Sequence, residues 1–352
     1  MKKENKPFDA VSRRKFIGSS LALSAGLMVG GSKIIAAPAI IRTLGKPDSV
    51  IKGVQIGVIT YSFRSMPDQS AEATLNYTLQ TGLSAIELMG EPAESFAGIP
   101  VNPVDRSVFF GLMRKTREGG QLTDDEKKQM DEMRAQMEAY NKEVAQWRGS
   151  VSMDKFAQLK KMYNDAGVKI YGFKPSAFGA RNTEAEMDYG FKAAKALGAS
   201  HVTLEHPGDD AQTKKLGDLA AKHKIYVAYH GHEQQTPTFW DTALSQSAYN
   251  AMNLDSGHYV AAGNPSVIDL IKAKHDRIAS MHVKDRQKPE NGKGNLPWGK
   301  GDTPIGEMLT LMSKNKYKFP ATIELEYEVP SGSDCVKEVG ICLDFCRKAL
   351  GA

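Results

Sequence analysis

Apolar and polar positions along this chain follow one beat. A segment with helical spacing is followed by a short apolar run, and the run stops at a polar or ionisable residue. The first turn of the beat places a strand over residues 54–61, a helix over 71–80 and a strand over 84–89. After a break it resumes with helix 153–166 and strand 168–174, then helix 183–197 and strand 200–205. Helix 213–222 precedes strand 225–230, and a short helical piece near Thr242 precedes strand 251–255. Helix 265–274 leads to strand 278–284, helix 303–313 to strand 321–326, and helix 336–349 closes the chain. Gly82, Gly167 and Gly198 fall at helix ends, where a left-handed cap is wanted. Strictly alternating strands and helices predict a parallel sheet. Eight repeats of the unit predict an α/β fold of the (β/α)8 TIM-barrel type rather than an open doubly wound sheet.

The break is an insertion after the second strand, about residues 91–150. Its second half is highly charged, with apolar residues at Met130, Met133, Met137, Tyr140, Val144 and Trp147. Steps of three and four make one helix face. That face predicts a helix packed on the barrel wall; a lid or a dimer contact is the other reading, and a homo-oligomer is left open.

The N-terminus stands apart from the beat. Ser12-Arg13-Arg14-Lys15-Phe16-Ile17 is a twin-arginine pattern, followed by an uncharged run of small and apolar residues and by Ala36-Ala37-Pro38-Ala39. Residues 1–37 therefore read as a Tat export signal, 38–52 as a linker and 53–352 as the barrel. Export places the protein in the periplasm or beyond, with no membrane association once the signal is cleaved. The whole chain has a formal net charge of +5, but residues 1–37 hold seven Lys/Arg and two Asp/Glu. The remainder carries 39 of each. Such a balance gives no electrostatic footprint for nucleic acid. Cys335, Cys342 and Cys346 are an odd set and imply no disulfide framework.

The chemistry lies at the strand ends. Candidate ligands close five successive strands: Glu205, His230, Asp255, His282 and Glu324. Ends of parallel barrel strands meet at the C-terminal rim, where barrel enzymes keep their active sites. Side chains alternate along a strand. Ser280, His282 and Lys284 therefore share one face, as do Thr322, Glu324 and Glu326. Ionisable groups facing a dry interior are costly unless a cation or a partner satisfies them. Carboxylates with imidazoles suit Mn, Zn, Co, Fe or Mg, held as one divalent metal ion acting as a Lewis acid. Around the ion, Lys284 is a base or a substrate ligand. Lys174, Glu87, His232, His258 and Trp298 are candidates for binding a sugar. Glu326 competes with Glu324 as the ligand. His201 has no partner visible in the sequence and reads as incidental. Lys293 and Lys300 suggest a phosphate site; export favours an unphosphorylated sugar.

Four segments together resemble a known family. Tyr229-His230-Gly-His232-Glu233, Leu254-Asp255-Ser-Gly257-His258, Met281-His282-Val-Lys284-Asp285 and Ile323-Glu324-Leu-Glu326 are similar to strand ends of the xylose isomerase-like barrels, often called sugar phosphate isomerases/epimerases. Trp298-Gly-Lys-Gly301-Asp302 is similar as well. The resemblance implies one divalent metal on Asp255, His282, Glu324 and a group from the fifth strand. On such an ion a keto-sugar can pass through an enediolate, with Glu324, His230 and Lys284 the candidates for catalysis. Ketose 3-epimerases of the family carry glutamate where this chain has His230, and Glu205 offers another carboxylate. Isomerisation or epimerisation is thus one expectation, and elimination beside a ketone, as in inosose dehydratase-like and 3-keto-glycoside-cleaving members, is the alternative. A metal-dependent endonuclease and a non-catalytic sugar-binding barrel are the rivals; the charge balance opposes the first.

Overall fold

The computed structural model describes residues 45–352. The segment read as an export signal, 1–37, lies outside them. Eight strands make up the barrel: β1 (Val54–Ile59), β2 (Ala85–Met89), β3 (Lys169–Lys174), β4 (His201–Glu205), β5 (Tyr226–His230), β6 (Asn250–Asp255), β7 (Ile278–Val283) and β8 (Ala321–Ile323). Each pairs in parallel with its neighbours in sequence, and β8 pairs with β1. The sheet is therefore closed, and no barrel edge is left unpaired. Within the stretch read as a linker, Val50–Ile51 adds a short antiparallel strand to β1.

The helices are α1 (Ala71–Thr81), α2 (Gly90–Ala97), α3 (Arg106–Arg117), α4 (Asp124–Ser150), α5 (Asp154–Asp165) and α6 (Glu184–Leu197). They continue with α7 (Asp210–His223), α8 (Asp241–Gln246), α9 (Ser256–Ala261), α10 (Val267–Lys274), α11 (Ile305–Asn315) and α12 (Cys335–Leu350). Local sequence explains their ends. Thr123 with Glu126 and Thr183 with Glu186 form capping boxes at α4 and α6. Gly82 and Gly198 end α1 and α6 at φ 79° and 78°, where a side chain would be strained. The main core lies between the outer face of the strands and the helices, with Val58, Phe173, Tyr229, Phe191 and Met308 fully buried. No helix among the described residues is long and apolar enough to cross a membrane.

Helix α4 fills the second half of the break in the repeat. Met130, Met133 and Val144 on its apolar face are buried, the first two in a small second core with Val104 and Leu112 of the insertion. Its last turn is fixed to the barrel by Arg148. The buried guanidinium bonds Glu94 at 3.0 Å, Glu186 at 3.2 Å and the Ser176 carbonyl at 3.0 Å.

Inside, the barrel is polar. Glu87, His201, Asn253, Ser280, His282 and Thr322 have no exposure to solvent. Tyr171 Oη and Thr322 Oγ1 meet at 2.7 Å across the lumen. Such a layer is stable only if every group finds a partner.

Candidate metal centre

Residues at the ends of β5, β6 and β7 bring His230, Asp255 and His282 together. One donor atom from each lies within 4.8 Å of the others. Hydrogen bonds decide which atoms face inward. His230 Nδ1 is 2.7 Å from Asn253 Oδ1, so its Nε2 is left facing Asp255 Oδ2 at 3.9 Å. His282 Nε2 is held at 3.0 Å by Glu87 Oε2, and its Nδ1 meets Glu324 Oε2 at 3.1 Å. Asp255 Oδ1 accepts the His258 backbone N–H at 2.7 Å, whereas buried Oδ2 accepts no hydrogen bond. Lys284 Nζ stands 2.9 Å from that Oδ2, without hydrogen-bond alignment. A buried, undonated carboxylate oxygen beside two imidazoles and a second carboxylate is a donor set a divalent cation fits.

The electrostatics follow from this packing. Burial alone would raise the Glu87 carboxyl; the His282 charge and its hydrogen bond outweigh it and hold Glu87 at about 2. Burial would lower His282, but Glu87 and Glu324 carry it up to about 10. Glu324 is kept well below the usual carboxylate range, against its burial, by Lys284 and His282. Burial, with the nearby His282 and Lys174 charges, pushes His230 down to about 4. His258 falls to about 3 through burial and the Lys284 and Arg286 charges. The trio thus combines one neutral imidazole, one carboxylate and one imidazole that must lose a proton before it can bind a metal.

The sequence candidates divide. His230, Asp255 and His282 converge, and Glu324 reaches the group through His282. Glu324 and Glu326 share Lys284, at 2.8 and 2.6 Å; the contact to His282 is made by Glu324. Lys284 lies among carboxylates: in the metal-free chain Asp255, Glu324 and Glu326 outweigh its burial and raise its pKa. Glu87 is no sugar ligand: it is fully buried behind His282 and orients that ring. Trp298 packs edge-on against Phe345 of α12 at the margin of the core. Glu205 bonds Lys174 at 2.9 Å through Oε1 and faces His232 Nε2 at 3.6 Å through Oε2. Burial would raise Glu205, and the His230 and Lys174 charges lower it instead. Glu205, His230 and His232 form a second, outer group of donors. His230 has one free nitrogen, so it serves the inner group or the outer, not both.

Two residues are more engaged than their sequence suggests. Asp285 Oδ2 accepts three backbone N–H groups, from Gly299, Lys300 and Gly301 at 2.7–3.0 Å, and Oδ1 accepts that of Thr303 at 3.2 Å. The glycine-rich turn around Lys300, one of the two lysines that suggested phosphate, is filled by the chain's own carboxylate. His201 is fully buried in the lumen and bonds Ser280 across it.

The sequence profile of the xylose isomerase-like TIM barrel matches residues 110–340. The chain belongs to the xylose isomerase-like TIM barrel family. Solved structures share its fold. A xylose isomerase domain protein from Alicyclobacillus acidocaldarius subsp. acidocaldarius aligns with a TM-score of 0.56 at 15% identity, over 84% of this chain and 98% of that one. The IOLI protein, solved with a zinc atom, gives 0.53 at 13% identity, over 84% and 98%. The 3-keto-D-glucoside 4-epimerase YcjR from E. coli gives 0.53 at 10% identity, over 84% and 99%. At such identities the likeness is one of fold. No curated protein matches the chain.

Proposed function

We propose that this barrel is a divalent-metal-dependent carbohydrate enzyme that removes a proton from the carbon beside a keto group, as an isomerase or epimerase. One observation carries the reading above the others. His230, Asp255 and His282 meet in one group, Glu324 reaches it through His282, and Lys284 lies beside them with its charged form favoured. A divalent ion bound by His230, Asp255, His282 and Glu324 would supply Lewis acidity to adjacent oxygens of the sugar. Lys284, whose carboxylate neighbours favour its charged form, would hydrogen-bond the carbonyl oxygen and hold the charge that grows there as an enediolate forms. Glu205 is ionised and half exposed at the mouth, with His232 beside it. This pair takes the proton and returns it. Lys174 holds Glu205 in place and reaches sugar hydroxyls.

The substrate is an unphosphorylated keto-sugar or keto-glycoside. The closed Asp285 turn leaves no free anion nest in the seventh loop, where many barrels bind phosphate. A barrel of the same fold acts on a 3-keto-D-glucoside. The twin-arginine segment supports a reading in which the enzyme works outside the cytoplasm. Elimination beside the ketone is the second reading. It is favoured by His230, whose free nitrogen faces the ligand group, so that the fifth strand supplies no second carboxylate base.

Solvent exchange tests both. The metal-loaded protein is incubated in D₂O with a panel of ketoses and 3-keto-glycosides, and the sugar C–H signals are followed by NMR. Deuterium at an α-carbon is expected. Loss of the aglycone selects elimination. Absence of exchange across the panel with metal bound leaves a sugar-binding barrel.

A further inference from the structure

Below the ligand group the lumen carries a line of hydrogen bonds whose protons all run one way. At the base, Ser200 Oγ donates to the Tyr171 carbonyl at 3.1 Å, which uses its only proton. With its proton on that carbonyl it accepts from His201 Nδ1, at 3.0 Å. With its proton on Nδ1, His201 accepts at Nε2, from Ser280 Oγ at 3.0 Å. Ser280 in turn accepts the Asn253 amide N–H at 2.7 Å. The Asn253 carbonyl oxygen is then turned to His230 Nδ1 at 2.7 Å and requires a proton there. A second anchor sets the same amide orientation: Asn253 Nδ2 lies 3.4 Å from Glu87 Oε2, which can only accept. Partners, not the ring itself, decide a histidine tautomer.

The line is built for contact. His201, Asn253 and Ser280 have no exposure. A Cβ at Gly172 on β3 would stand 2.8 Å from His201 Nε2, so a larger residue there would crowd the atom that accepts from Ser280. We infer that His201 and Ser280 are positioning residues that act through Asn253 to keep the proton of His230 on Nδ1, presenting Nε2 unprotonated to a divalent cation. This rests on the metal site proposed above. It assigns a task to a histidine at the far end of the lumen from the chemistry.

Two readouts test it, one of them independent of any metal. In ¹⁵N-histidine-labelled, metal-free protein, NMR should show His230 protonated on Nδ1 and not on Nε2. His201→Phe and Ser280→Ala should give a mixture of tautomers. Zinc and cobalt titrations by calorimetry should show binding weakened about 10- to 100-fold in both, the range for losing an outer-shell partner. His201→Gln, whose amide oxygen can still accept from Ser280, should stay near wild type in both measurements. Ser280→Ala removes one oxygen and covers the case in which His201→Phe does not fold. If the wild type binds no divalent metal, the proposed function fails, while the tautomer shift still supports the relay. An Nε2 proton on wild-type His230, or an unchanged tautomer in a folded variant, overturns it.

Discussion

The Lys284 ammonium stands 2.9 Å from Asp255 Oδ2, the one oxygen of that buried carboxylate that accepts no hydrogen bond. The same ammonium is 2.8 Å from Glu324 Oε2. It therefore neutralises, in the metal-free chain, two of the charges that an ion would claim. Lys284→Met should separate the two roles. Without metal, the variant leaves buried carboxylates unpaired and should lose about 3–5 kcal/mol of stability, read by urea unfolding. With the competing charge gone, zinc should bind about tenfold more tightly or better. A variant that binds zinc more weakly would show that Lys284 supports the ion rather than competing with it.

Removing a ligand should act in the opposite direction. Asp255→Asn keeps the shape and the Oδ1 cap on the His258 N–H but removes the charge. Metal affinity should fall by at least about 100-fold, and α-deuteration of the sugar should vanish with it. Chelation of the wild type should give the same loss, restored by added zinc or manganese. Exchange that survives both treatments would mean that the chemistry does not need the ion.

The strand ends were legible because a barrel converts a repeat in sequence into convergence in space. His230, Asp255 and His282 stand at strand ends that parallel closure brings together, and Glu324, just past the eighth strand, reaches His282. What could not be read from spacing depends on partners across the lumen. Glu87 resembled a sugar ligand at a strand end, yet it lies behind His282, 195 residues away in sequence. Lys284 read as a base or a substrate ligand, with no sign in its spacing of the three carboxylates that surround it. His201 opens its strand with no local signal at all, and only the closed barrel places Ser280 beside it. Trp298, in a glycine-rich turn, gave no sign that Phe345 would pack against it.

His201 also sets a pH dependence. Burial, with the His282 charge, pushes it down to about 4, and the Glu87 charge opposes this only in part. Between pH 6.5 and 4 the unfolded chain therefore binds a proton that the folded chain refuses. The His201 contribution is complete above pH 6.5 and is lost as pH falls toward 4. In urea unfolding across that range, the wild type should lose up to about 1.4 kcal/mol per pH unit more than His201→Gln. Equal slopes would mean that the ring is protonated in the fold.

The insertion offers a test of its own attachment. Arg148 ties α4 to Glu94, Glu186 and the Ser176 carbonyl in a buried setting, with Tyr189 also on Glu94. Arg148→Met should cost about 3–5 kcal/mol, since two buried carboxylates lose their partner. Arg134→Ala on the exposed side of the same helix, paired with Asp131, should change stability by less than about 1 kcal/mol. Similar costs for the two would show that α4 is held by its apolar face alone.

Asp285 decides whether the seventh loop can take an anion from outside. Its carboxylate already occupies the backbone N–H groups of Gly299, Lys300, Gly301 and Thr303. Inorganic phosphate should therefore leave the wild-type melting temperature unchanged. Asp285→Ala strips these donors of their acceptor and should destabilise the protein by about 1–3 kcal/mol or more. Phosphate or sulfate should then recover part of the loss, because the emptied turn is an anion-binding nest. Wild-type protein that melts higher in phosphate, with no gain in Asp285→Ala, would place an anion site elsewhere on the barrel and reopen sugar phosphates as substrates.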